Sequence, residues 1–347
     1  MNFLSDNAGP AHPRVIEAIA RANEGYATPY GGDTLTDEVR ERARETFEAP
    51  EAAVYLVATG TAANSLILAT LSRPWQTIFC TRVAHIQEDE CNAPEFFTGG
   101  AKLTVVAHED GLMNPDALGH AIENAAGHGV PGVQPGPVSI TQATEKGAVY
   151  SLDQIAEIGS IAARNGLPVH MDGARFANAL VALGCSPAEM TWKAGVNAVS
   201  FGGTKNGLLG VEAVIFFDPA HAREFEFRRK RGGHLFSKHR FLSAQMAAYL
   251  TDALWLEMAA SANAAAASLL RGLQQKPNCT VHGDPRANIV FADWPRAGHR
   301  RLHEAGASYY LWDGGIEGPD DEMLTARLVS DWSATEDSVE RFLALLS

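Results

Sequence analysis

The chain has 347 residues, 46% of them hydrophobic, enough for one large core or for a large and a small one. Its formal net charge of −13 argues against a general binder of nucleic acid or of anionic membranes. Cys80, Cys91, Cys185 and Cys279 form no Cys-x-x-Cys pair, which excludes a zinc knuckle and leaves free thiols in a reducing compartment.

The opening MNFLSDNAGP is polar and turn-like, so no signal segment is expected. No apolar run reaches spanning length, since Leu66–Leu71 and Val211–Phe217 are both too short. A cytoplasmic protein without a membrane partner is expected. HPRVIEAIARANEG predicts a helix with Pro13 early and Gly25 as its stop, and DEVRERARETF a second one. AVYLVATGTAANSLILATL reads as strand, tight turn and helix. TIFCT, KLTVVAH, GPVSITQAT and LPVHMDGA are strands, with helices at DALGHAIENAA and LDQIAEIGSIAARNG. Ala198–Phe201 and Val211–Phe217 read as buried strands flanking a glycine-rich turn. Beyond about Arg231 comes one long helical stretch, FLSAQMAAYLTDALWLEMAASANAAAASLLRGLQ. Short strands at CTVHG, NIVFADW and ARLVSDW follow, then a last helix at TEDSVERFLALL. Strands alternating with helices predict an α/β domain with a mostly parallel sheet, over residues 1–240. Residues 241–347 are expected to form a smaller α+β domain.

Ligands of such sheets sit at the carboxyl ends of the strands, and three strand ends carry chemistry. Thr59, Gly60 and Thr61 enter a helix, where free backbone N–H groups and two hydroxyls can cradle a phosphate or simply cap the helix. Neither Gly-Lys-Ser/Thr nor Gly-x-Gly-x-x-Gly is present there. Asp172 ends a strand with Arg175 just after it; the two form a local ion pair, or Asp172 is the pyridinium partner of pyridoxal phosphate (PLP). Lys205 is the one cation between two apolar strands, either a surface turn lysine or a partly desolvated nucleophilic amine. Its small neighbours would let a cofactor approach the backbone.

In this order these segments resemble the low-specificity L-threonine aldolases of the β-eliminating lyase group, which have the PLP fold type I. LSDNAGP, YGGDTLTDEV, GTAAN, AHIQEDE, VHMDGARFANA, SFGGTKNGLLG and RLVSDWSATEDSV carry the resemblance over nearly the whole length. It implies a large domain with a mostly parallel mixed sheet flanked by helices, and a smaller C-terminal domain. It implies PLP carried by Lys205 as a Schiff base, with Asp172 on the ring nitrogen and Arg175 near the ring hydroxyl and the substrate carboxylate. Thr59, Gly60 and Thr61 would hold the phosphate and His85 would stack on the ring. Ser5 and Arg327 would bind the carboxylate, with Tyr30 nearby. Read from the residues alone, His85 is equally a half-buried loop histidine and Arg327 a surface strand arginine.

Many members carry a histidine in an Asn-Thr-His stretch, where this chain reads TQATEKG and places Glu145. The base that takes the β-hydroxyl proton is therefore open among His85, Glu145, a cofactor phosphate oxygen and water; His128 lies elsewhere. EDECNAPEFF replaces an apolar stretch, so Asp89 is expected on the aldehyde side. The basic segment RRKRGGHLFSKHR, Arg228–Arg240, is a solvated loop or, by the resemblance, supplies Lys238 (and less directly Arg231) to a neighbouring subunit's phosphate. The resemblance implies a homodimer with shared active sites, assembled as a homotetramer, acting on a small amino-acid substrate with no metal. The expected activity is cleavage of L-threonine, L-allo-threonine and related L-β-hydroxy-α-amino acids to glycine and an aldehyde. Another PLP reaction, such as β-elimination, and a PLP-fold protein that only binds a ligand are the alternatives.

Overall fold

The computed structural model describes residues 1–346. Strand Ala53–Val57 is buried at every position, as its unbroken apolar run requires of a strand covered on both faces. It is one edge of a seven-stranded sheet. The order continues through Glu212–Phe216, Ala198–Gly202, Val169–Gly173, Gln134–Thr141, Gln76–Thr81 and Lys102–Val106. Glu212–Phe216 runs antiparallel to both neighbours, and the other pairings are parallel. Six parallel strands therefore bring their carboxyl ends, and Glu212–Phe216 its amino end, to one edge. Helix Gly60–Leu71 is buried from Ala62 through Thr70, since it is apolar nearly all round and lies between the sheet and the helices outside it.

A second sheet of four antiparallel strands has the order Thr280–His282, Ile289–Pro295, Met323–Val329 and Tyr310–Leu311. It is backed by helices Leu254–Gln274, Arg296–Glu304 and Glu336–Leu345. The two sheets and their helices match the expected large and small units. The two cores, however, do not part at the expected 240/241 boundary. Leu242, Met246, Tyr249, Trp255 and Met258 pack into the large core, around a ring cluster of Phe47, Phe176 and Phe201. The small core takes over at Ala265 and Leu269 within the same helix. It also claims the opening segment: Phe3 packs edge-on to Phe342, and Phe3 N–H donates to the Ser308 carbonyl at 2.8 Å.

The long helical stretch expected after Arg231 is two helices, Arg240–Leu250 and Leu254–Gln274, parted where Asp252 and Ala253 have φ of 52° and 55°. By length and composition Arg240–Gln274 could cross a membrane, a feature that scanning for unbroken apolar runs misses. Both halves instead bury one side in the two cores. The basic segment also differs from a simple loop. Arg228–Arg231 end helix Ala222–Arg231, and Arg229 is buried, with its guanidinium 5.0 Å from the Tyr55 ring.

Candidate active site

Lys205 lies in the tight helical turn Thr204–Asn206, just past strand Ala198–Gly202. Asn206 anchors the turn by donating to the Tyr249 hydroxyl and the Trp255 carbonyl, both at 2.8 Å. The glycines before it are required by close backbone packing. A Cβ on Gly202 would stand 2.5 Å from the Ala174 carbonyl oxygen, and one on Gly203 would stand 2.7 Å from that of Val211. Burial lowers the pKa of the Lys205 amine and Arg175 lowers it further, while Asp6, Asp172 and Glu212 pull against them. Glu212, at the start of the antiparallel strand, accepts from Gly203 N–H at 2.8 Å and is pushed up to about 7 by burial.

Asp172 sits one strand over, in register with Thr141 on one side and Ser200 on the other. The expected local pair with Arg175 does not form. Asp172 Oδ1 accepts from Ala174 N–H at 2.9 Å, and Oδ2 from the Asn64 amide at 2.8 Å. Burial alone would raise its pKa; His85, Lys205 and the Ala174 N–H outweigh it and hold the carboxyl below its ordinary value. The same Asn64 nitrogen donates to Glu90 Oε1 at 2.9 Å, and His85 Nδ1 meets that oxygen at 2.8 Å. The Glu90 bond raises the His85 pKa against the opposing effect of burial. Glu145 closes the group from the end of strand Gln134–Thr141. Its Oε1 accepts from His85 N–H at 2.8 Å and Thr141 Oγ1 at 2.9 Å, while Oε2 is shut from solvent without a partner. Burial raises the Glu145 pKa.

Arg175 turns to Asp6 instead. Nε and Nη2 donate to its two oxygens at 2.7 and 2.9 Å, and Asn288 adds a third bond at 3.1 Å. Burial would raise the Asp6 pKa, but Arg175 and Lys205 bring it below the ordinary range. Ser5 stands beside Asp6, its hydroxyl accepting from Asn7 N–H. Arg327 is half-buried, opposite Phe291 and Tyr310 in the small sheet. Burial and the charge of Arg175 lower its pKa to about 10, with Asp6, Tyr310 and Asp89 opposing. The exposed Asp89 is thus within electrostatic reach of the Arg327 guanidinium.

Within one chain, Tyr30, Lys238 and Arg231 stay outside this group. Tyr30 has φ of 60° and donates its N–H to the Ser237 carbonyl, with Lys230 over its ring. Lys238 is exposed and lines a cavity of about 280 Å³ with Tyr26, Pro29 and His239, to which Thr59, Gly60 and Thr61 do not contribute. Arg231 lines a groove of about 850 Å³ with Phe96 and Phe227. Asp6, Asn64, Glu90, Ser200, Glu212 and Asn288 escaped the sequence reading. Two signals could have found some of them: Asp6 follows Ser5, and Asn64 lies one helical turn past Gly60, on the same face.

The donor set suits PLP. Thr59 caps helix Gly60–Leu71 by accepting from Ala62 N–H, and a Cβ on Gly60 would meet nothing within 4 Å, so space stands open over the first N–H groups. An amine of lowered pKa and a buried anionic carboxylate stand at neighbouring strand ends. Among the described residues no group of three or more histidines, cysteines or carboxylates could hold a metal ion.

The family model for the β-eliminating lyases matches residues 2–294. The chain is 37% identical to the low specificity L-threonine aldolase of Pseudomonas sp. (strain NCIMB 10558), over 99% of this chain and 96% of that one. It is 39% identical to the enzyme of that name from Pseudomonas aeruginosa, over 90% and 89%. Among solved structures, Leishmania major threonine aldolase superposes with a TM-score of 0.92 at 25% identity, covering 99% of this chain and 98% of that one. A variant of serine palmitoyltransferase from S. paucimobilis, solved with a bound PLP–myriocin aldimine, superposes at 0.69 and 16% identity over 100% and 86%, a likeness of fold.

Proposed function

Because this chain belongs to the β-eliminating lyase family and is a PLP-dependent carbon–carbon lyase, we propose that it cleaves L-threonine, L-allo-threonine and related L-β-hydroxy-α-amino acids such as phenylserine to glycine and an aldehyde. The observation that carries the reading is one desolvated amine, Lys205, near a carboxylate, Asp172, that its surroundings keep ionised, both at the ends of adjacent parallel strands. Desolvation frees the Lys205 amine of its proton closer to neutral pH, as a nucleophile requires. When bound, PLP supplies the electron sink for the pair released as Cα–Cβ breaks. Asp172 would offer that group's ring nitrogen a fixed negative charge. Asp6 already neutralises Arg175, so Arg327 is the cation left to meet the substrate carboxylate, with Ser5 beside it. Two groups in the site can take the β-hydroxyl proton, His85 and Glu145, both with raised pKa values. Incubation with a panel of β-hydroxy amino acids tests the reading. Glycine plus aldehyde supports it; pyruvate plus ammonia, or a keto acid, overturns it in favour of elimination or transamination.

The same proposal includes a homodimer with shared sites, assembled as a homotetramer, in the cytoplasm. Lys238 and Tyr30 support the shared site: the Tyr30–Ser237 bond ties their loops together, away from their own chain's site. Phe96 and Phe227, both exposed, support further contacts between copies. The four unpaired cysteines suit a reducing compartment.

A further inference from the structure

One chain of hydrogen bonds runs beneath the site from Ser200 to His85. Ser200 Oγ donates to Asn64 Oδ1 at 2.8 Å. The Asn64 nitrogen spends its two hydrogens on Asp172 and Glu90. The amide orientation follows from chemistry, since turning it would set its oxygen against two carboxylates. Glu90 Oε1 has only lone pairs to offer, so the His85 Nδ1 bonded to it carries a hydrogen. Neutral His85 then has its lone pair on Nε2.

We infer that Asn64 and Glu90 are positioning residues that hold His85 in its Nδ1–H form, making Nε2 the atom through which the β-hydroxyl proton leaves and returns. This rests on the aldolase reading and adds to it the protonating atom and its support. Asn64 separates Glu90 from Asp172, two buried carboxylates that would otherwise repel. The groups bearing on the ring are Glu90, Asp172 and Lys205, with Glu145 bound to the His85 backbone. The logic is that of any histidine oriented by a carboxylate behind it.

The test is nitrogen NMR of the full chain labelled in histidine, with PLP and after its removal, and His85→Gln to assign the signal. The wild type should show neutral His85 protonated on Nδ1. Glu90→Gln keeps an acceptor but no charge, so the tautomer should persist and the titration should move down by about one unit or more. Glu90→Leu should release the ring to the other tautomer, and cleavage should slow by about 10²–10⁴-fold. A wild-type ring protonated on Nε2, or an unmoved titration in Glu90→Gln, would overturn the inference even if Glu90→Leu failed to fold. The titration needs no turnover, so absence of any aldehyde product would bring down the functional reading alone.

Discussion

Asp6, from the opening segment, grips Arg175, from the end of a central strand, through two hydrogen bonds across 169 residues of sequence. Both side chains are nearly inaccessible, at 1% and 7% exposure. The pair therefore fastens the N-terminal segment, and Ser5 with it, beside the central strand end that carries Asp172 and Arg175.

Asp6→Asn should leave Arg175 buried without its counter-charge and destabilise the fold by about 3–5 kcal/mol near neutral pH. The Asp6 carboxyl titrates below its ordinary 3.8 in the folded state. Its contribution is therefore whole above that pH and is lost as pH falls through the folded value. Urea unfolding of wild type and variant should show a gap that is full at pH 7 and closes in stronger acid. An equal gap at all pH values would mean that Asp6 acts by packing alone.

Lys205 should carry the cofactor. Borohydride reduction should bleach the yellow protein and leave PLP on the peptide that contains Lys205. Lys193, which reaches Glu48 at 2.7 Å on the surface, serves as the internal control. Label recovered on Lys193 or any other lysine would refute the assignment. Asp172→Asn should fold and slow turnover, because the sink loses its charged partner.

Glu145 should trade stability for activity. Its folded carboxyl titrates above the ordinary 4.5, so the ionised group costs the fold more as pH rises past that point. Glu145→Gln should melt with the wild type near pH 4 and above it at pH 8. It should also change the pH profile of kcat, with up to about a 10²–10⁴-fold loss if the group exchanges a proton in the reaction. Identical melting at both pH values would contradict the burial argument, and an unchanged rate profile would remove Glu145 from proton transfer.

Lys238 should serve the neighbouring subunit. When Lys205→Ala chains are mixed with Lys238→Ala chains, one site of each heterodimer collects both defects and the other has neither. Activity should rise above that of both parents after exchange. No rise despite demonstrated exchange, or a fully active monomer, would return Lys238 to the solvent.

What the sequence made legible was local. Thr59 before an apolar helix, Asp172 at a strand end and Lys205 in a turn are each marked by a change of texture within a few residues. The supporting residues were hidden because their meaning is non-local. Asn64 sits in an apolar helix, and nothing nearby says that Asp172, 108 positions on, needs its amide. Asp6 reads as turn chemistry until Arg175 meets it. The break at Asp252 and Ala253 was missed for another reason: TDAL contains no glycine or proline, so composition gave no sign of two left-handed residues.

Helix Leu254–Gln274 has a mechanical role. Its 21 residues span about 30 Å as an unbroken rod. One end is embedded among Phe176 and Phe201, and the other lies under the small sheet to which Arg327 belongs. The two units cannot swing apart without bending this rod, which favours flexing of loops around the site over hinging between lobes. The rod also acts as a ruler, setting the separation between the amine on one lobe and the guanidinium on the other, so a methyl group added or removed along its buried side would be felt as a change in that span.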